Sequence, residues 1–151
     1  MKTLGVISDT HGLLREVAVA SLAGSDAIVH AGDVGKPEVL SALREIAPLT
    51  AIRGNVDRWA GDLPDTAVLR FAGHAIYVIH DLNVLDFDPA ASGIDIVIAG
   101  HSHRPLIRED GGVLYLNPGS AGPRRFRLPV GLATVTFAGG KPEARLIEFD
   151  V

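Results

Sequence analysis

Acid, imidazole and amide side chains recur along this chain at short, glycine-flanked intervals. Asp9 and His11 stand two apart in VISDTHG, and Asp33 follows Gly32 in HAGDVG. Asn55 follows Gly54 in RGNVD, which also carries Asp57; His80 ends AIYVIH; His101 and His103 alternate in GHSH. Carboxylates, imidazoles and an amide oxygen suit borderline divalent cations such as Mn, Fe or Zn. Asp9, His11, Asp33, Asn55, His80, His101 and His103 are too many ligands for one tetrahedral zinc, and they match two ions if one carboxylate bridges. A bridged pair of cations roughly 3.5–4 Å apart clamps a phosphoryl group from both sides and makes a nucleophile of bound water near neutral pH. Neutral imidazoles keep the negative charge of such a site low, so a phosphate is less strongly repelled. The chemistry this set suits is in-line attack of a metal-bound hydroxide on phosphorus, with no covalent intermediate required.

Taken singly, each residue has an ordinary explanation. Asp9 or Thr10 would serve as a helix cap. Asp33 and Asn55 are common turn residues, and His80 at a strand end reads as a structural histidine. The metal reading rests on their coincidence: each group falls just past the carboxyl end of an apolar run. In open α/β sheets that edge is where ligands bind.

The runs that must position these groups can be read from periodicity. Residues 3 to 8 form a buried strand, 13 to 23 a helix, 26 to 30 a strand, Pro37 to Ile46 a helix, and 48 to 52 a strand. Proline is at home in a first helical turn. Strands alternating with helices imply parallel pairing through crossovers. After residue 64 the pattern changes to a hairpin turning at Gly73-His74, a short helix at 83 to 91, a very apolar strand at 93 to 100, a strand in GGVLYLN, and a last hairpin turning at Gly139-Gly140. The expected architecture is α/β: two facing mixed β-sheets flanked by helices, in one domain over residues 1–151.

Bulk composition narrows the function. With 47% apolar and 21% charged residues the chain is globular in character. A formal net charge of -4 argues against a large nucleic-acid surface. Cys is absent, which excludes disulfides, thiolate ligands and a thiol nucleophile. The apolar run after Lys2 is broken at Asp9, too soon for a signal peptide. No stretch approaches the roughly 20 apolar residues of a membrane span. A cytoplasmic location without membrane contact is therefore expected. The first strand-helix-strand unit lacks G-x-G-x-x-G, which argues against a dinucleotide-dependent oxidoreductase. Trp59 reads as a local core anchor, with a lid or a contact in a homo-oligomer as alternatives.

In its five blocks the chain resembles the calcineurin-like metallophosphoesterases, whose pattern runs D-x-H, G-D, G-N, a lone H, and G-H-x-H. Here the pattern is Asp9-Thr10-His11, Gly32-Asp33, Gly54-Asn55, His80 and Gly100-His101-Ser102-His103. The short length, GNVD and NPGS at Asn117 to Ser120 are similar to the small bacterial and archaeal phosphodiesterase branch. The resemblance implies that Asp9, His11, Asp33 and His103 hold one metal. It implies that Asp33, Asn55, His80 and His101 hold the other, with Asp33 as the bridge. It also implies two divalent ions, Mn first and Fe, Zn or Ni as alternatives, and a small phosphate ester as partner. Many relatives carry histidine after G-N, linked to leaving-group protonation. Here Val56 stands at that position and Asp57 follows, so diesters or good leaving groups are favoured, and Asp57 is a candidate acid only if it stays protonated. Asp81, where glycine is common, reads either as a cap for the next helix or as a support for a ligand histidine. The family includes a trafficking-coat subunit that has lost effective catalysis, so the alternatives to a phosphodiesterase are a phosphomonoesterase and a non-catalytic binding scaffold.

Overall fold

A computed structural model describes residues 1–151. Ten strands form two five-stranded sheets, as expected, with two α-helices on one outer face. In the first sheet, β1 (Lys2–Ile7), β2 (Ala27–His30) and β3 (Leu49–Ala51) run parallel; β9 (Gly131–Phe137) and β10 (Glu143–Glu148) add antiparallel, in the order β10-β9-β1-β2-β3. The helices α1 (Glu16–Leu22) and α2 (Pro37–Ile46) are its crossovers. The second sheet has the order β4-β5-β6-β8-β7, built from β4 (Thr66–Phe71), β5 (His74–Ile79), β6 (Ile96–Ile98), β7 (Leu106–Asp110) and β8 (Val113–Asn117). Here β5, β6 and β8 are parallel. No helix is long and apolar enough to cross a membrane.

Period-two alternation sorts side chains into layers. On β1, Leu4 and Val6 face the second sheet and pack with Ile76, Val78, Ile96 and Ile98. Ile7 faces the opposite way and joins Leu22 of α1 and Leu43 of α2. A third apolar layer, with Ile79, Val97 and Val113, covers the outer face of the second sheet. No α-helix packs there. A single 3-10 turn at Leu82–Val84 and its flanking loop do the covering.

Four local readings differ from expectation, each for a physical reason. The helix expected from residue 13 begins at Glu16, because Asp9, His11 and Gly12 take left-handed backbone angles and their N–H groups are tied to the neighbouring loop. The helix expected at 83 to 91 shrinks to the 3-10 turn, capped by Asp81 and followed by Pro89, which cannot donate to a continuing helix. Strand β7, with the sequence LIRED, carries no alternating apolar signal because it is an exposed edge strand. Trp59 is 40% exposed and so is no core anchor.

Candidate metal centre

All seven candidate ligands follow the carboxyl ends of parallel strands. Asp9 and His11 come after β1, Asp33 after β2, Asn55 after β3, His80 after β5, and His101 and His103 after β6. The two sheets face each other with these ends together, so groups up to 94 positions apart, from Asp9 to His103, converge. Only seven non-glycine residues have positive φ, and five are candidate ligands: Asp9 (55°), His11 (47°), Asp33 (56°), His101 (70°) and His103 (61°). Left-handed backbone costs an ordinary L-residue about 1–2 kcal/mol. Strain gathered on the residues that carry the chemistry marks a site the rest of the fold holds in place.

Backbone bonds hold it. The Asp9, His11 and Gly12 N–H groups donate to the Gly32, Asp33 and Val34 carbonyls at 3.0, 3.0 and 2.8 Å. The Asp57 carboxylate accepts from the N–H groups of Val34 (3.0 Å), Gly35 (2.9 Å) and Gly54 (2.9 Å), fastening the third loop to the second. Across the sheets, the His101 N–H donates to Asp9 Oδ2 at 3.1 Å. Two glycines are needed for contact. A Cβ on Gly54 would collide with the Asp33 carboxylate and backbone nitrogen, and one on Gly100 would fall 2.6 Å from Asp9 Oδ2.

Two clusters result: Asp9, His11 and His103, and Asp33, His80 and His101. In the first, Asp9 Oδ1 lies 3.4 Å from His103 Nε2 and 3.8 Å from His11 Nε2, and the two imidazole nitrogens are 3.4 Å apart. In the second, Asp33 Oδ2 lies 3.2 Å from His80 Nε2, which is also 3.1 Å from Asn55 Oδ1. The clusters touch, since Asp33 Oδ2 is 3.7 Å from His11 Nε2 and Asp9 Oδ1 is 4.0 Å from His80 Nε2.

The electron-pair count fits cations. His80 Nδ1 must carry a proton, because its neighbour at 2.7 Å is the Ala31 carbonyl. In its neutral form the ring therefore turns a lone pair at Nε2 toward Asp33 and Asn55, and once protonated it donates from Nε2 to Asp33 instead. Asp9 Oδ2 is satisfied by the Ser8 hydroxyl at 2.6 Å, whereas Asp9 Oδ1 is buried with no hydrogen-bond partner. A buried oxygen left bare among lone pairs is costly unless a cation meets it. With its oxygen inward the Asn55 amide also faces only acceptors; turned over, its nitrogen would donate to both Asp33 oxygens at 3.2 Å and to His80 Nε2 at 3.1 Å. The oxygen-inward orientation is the one a cation would use.

Titration follows the same layout. Burial raises the Asp33 pKa, but hydrogen bonds from His80 and the Val56 N–H outweigh it and hold the carboxyl at about 2. Burial lowers His80, yet Asp33 and the Ala31 carbonyl together raise it. Burial dominates at His11 and lowers it, against the pull of Asp33 and Asp9. His30 is wholly buried, and burial pushes it down to about 4. Its Nδ1 accepts from the Gly32 N–H at 3.1 Å, so Nε2 carries the proton and donates to the Thr10 hydroxyl at 3.0 Å. Thr10 in turn donates to the Val34 carbonyl at 2.8 Å.

Outside the ligand set, the Asp57 carboxyl oxygens face three backbone N–H donors. Asp81 caps the 3-10 turn through Oδ1, at 3.0 Å from the Asn83 N–H, and its Oδ2 lies 3.8 Å from His101 Nε2. Ser120 donates to the Asp9 carbonyl at 2.9 Å, and Asn117 donates to the Gly100 carbonyl at 2.9 Å, so NPGS lies behind the centre. Arg124 is tied to the Leu128 and Val151 carbonyls. Arg125 is the arginine whose charge reaches His11. Thr10, expected as a helix cap, instead pairs with His30, whose place in HAGD reads equally as a support for the site or as a buried structural histidine. Ser8 escaped notice, its one signal being polarity at the end of an apolar strand.

The model of the Calcineurin-like phosphoesterase superfamily domain matches residues 1–140. A probable metallophosphoesterase of Methanothermobacter thermautotrophicus is 31% identical over 157 residues, covering 95% of this chain and 91% of the relative. Two solved structures share the fold. One is an archaeal phosphodiesterase, at 22% identity and TM-score 0.80 over 97% of this chain and 99% of that one. The other is Vps29 of Chaetomium thermophilum, at 17% identity and TM-score 0.80 over 98% of this chain and 95% of that one.

Proposed function

The chain belongs to the calcineurin-like phosphoesterase superfamily, and from that membership we propose that it is a metal-dependent phosphodiesterase. The observation that carries the reading is Asp9 Oδ1, buried and unpartnered where the two side-chain clusters meet. Asp9, His11, Asp33 and His103 would hold one divalent ion, and Asp33, Asn55, His80 and His101 the other, with Mn the first candidate. Two such ions, when bound, supply Lewis-acid activation of water and neutralise charge gathering on the phosphoryl oxygens.

The protein's own groups supply position. The depressed pKa of Asp33 keeps it an anion throughout the neutral range, as a shared ligand must be. Ser8 and the His101 N–H occupy Asp9 Oδ2 and leave Oδ1 to the centre. The Ala31 carbonyl fixes the His80 ring by its Nδ1 proton, so Nε2 is the nitrogen that would hold a cation. Val56 follows Asn55 and has no proton to give, and the oxygens of Asp57 are taken up by backbone N–H groups. A site without a protein acid favours leaving groups that depart as anions, which supports diesters of acidic alcohols over monoesters.

Metal analysis of the purified protein, with a phosphate-ester panel under Mn, Fe, Zn and Ni, tests the reading. Turnover of a diester should exceed that of the monoester with the same leaving group, and Asp33→Ala should lose both metal and turnover. Retention of full metal content and turnover in that variant would remove the bridging role. The likeness to Vps29 supports a second reading as a non-catalytic scaffold. Two ions bound per chain with no turnover across the panel would favour it.

A further inference from the structure

The outer face of the second sheet is left partly uncovered beside the metal centre. A cleft of about 390 Å³ opens there, within the size range of small-molecule sites. Its wall is mostly apolar: Val97 of β6 and Ala99 just after it, Tyr115 of β8, Leu106 of β7, and Leu82 of the 3-10 turn. It exists because that turn spans three residues and covers what α1 and α2 cover on the first sheet. The cleft is continuous with the proposed reaction centre, since Gly100 and His101 line it. The His101 side chain is 44% exposed, the most open of the clustered imidazoles, and so faces incoming ligand. Asn117 fixes the shared wall by donating to the Gly100 carbonyl at 2.9 Å and to Ser102 Oγ at 3.2 Å. The Arg108 guanidinium, 5.1 Å from the ring centroid, steadies Tyr115.

Resting on the phosphodiesterase reading, we propose that this cleft is the subsite for an uncharged, aromatic-sized organic substituent of the substrate, such as an aryl or nucleobase-bearing group. A phosphodiester has two organic arms on its phosphorus, and an arm directed past His101 would enter the cleft. Apolar walls there reward an arm with a flat apolar body. The polar rim, with Asn83 and Arg104, can hydrogen-bond the edge of a heteroaromatic ring. The cleft therefore sets which diester is preferred, while the clusters set that a diester is cleaved.

Phosphonates isolate this contribution, since they carry one organic arm and are not hydrolysed. The Mn-loaded full chain is titrated calorimetrically with methylphosphonate and phenylphosphonate. The phenyl compound should bind about tenfold or more tighter, as burial of a ring predicts. Leu82→Trp, which fills the cleft, and Leu106→Gln, which makes its wall polar, should each reduce that ratio to about twofold or less. Circular dichroism checks the fold of both variants, and either suffices if the other fails. Methylphosphonate binding with no phenyl advantage, or an advantage that survives in the folded variants, overturns the subsite and leaves the esterase reading standing. If neither phosphonate binds and no diester turns over, the esterase reading falls and the subsite with it.

Discussion

Several polar residues at the centre have no room to change protonation without breaking a bond. His30 is the sharpest case, because protonating Nδ1 would set it against the Gly32 N–H that it accepts from. A histidine whose folded pKa is depressed, here to about 4 from 6.5, is neutral when folded and charged when unfolded across that interval. The unfolded state then binds the extra proton, so this contribution is present above pH 6.5 and is lost as pH falls toward 4. The full swing is about 3 kcal/mol. Urea unfolding of the metal-free protein at pH 7 and pH 4.5 should therefore show a smaller loss of stability in His30→Gln than in the parent. Asp57 gives a second residue-scale prediction. Asp57→Ala leaves three backbone N–H groups without their acceptor and should cost at least about 3 kcal/mol in denaturant unfolding. If Asp57 were instead the proton donor, Asp57→Asn would erase the basic limb of the pH–rate profile. The expected result is that the limb persists.

Strands set the height of the ligands and loops set their aim. Parallel β1, β2 and β3 end together, and the turns after β1 and β2 are held in left-handed conformations by close packing against one another. Glycine is the element-scale device that permits this. Gly100→Ala would push the β6 loop off Asp9, and Gly54→Ala would push the β3 loop off Asp33. Neither position supplies a ligand, yet each substitution should weaken metal binding about 10- to 100-fold, as losses of supporting contacts do. Competition with a metallochromic chelator measures that loss, and unchanged affinity in both variants would count against the packing argument. The hairpin turns follow a different rule. Ala72-Gly73 and Gly111-Gly112 each pair positive φ at two central residues, the twist that suits two-residue hairpins, and they lie between paired residues Phe71 with His74 and Asp110 with Val113.

At the scale of the molecule the centre is a seam. Its ligands come from both sheets, and His80 and Asp33 reach across the gap to within 3.2 Å. Cations bound at that seam would bind the folded state and not the separated sheets, so loading should stabilise the whole fold by mass action. At metal concentrations near 100 times Kd the gain is about 2.7 kcal/mol per site. Thermal unfolding with Mn and with chelator should differ accordingly, and the difference should shrink in Asp33→Ala. The residue pattern alone was enough to name the seven candidate ligands and the strand-end rule that collects them, because apolar periodicity and glycine-flanked polar residues are local signals. It was also enough to indicate two sheets, since many short strands with few helices suit stacked sheets. It could not show which oxygen of Asp9 stands bare, that Asp57 is consumed by three N–H groups, that β7 exists, or that a cleft opens beside His101. Those outcomes depend on which distant backbone groups become neighbours, a matter of tertiary packing that no window along the chain contains.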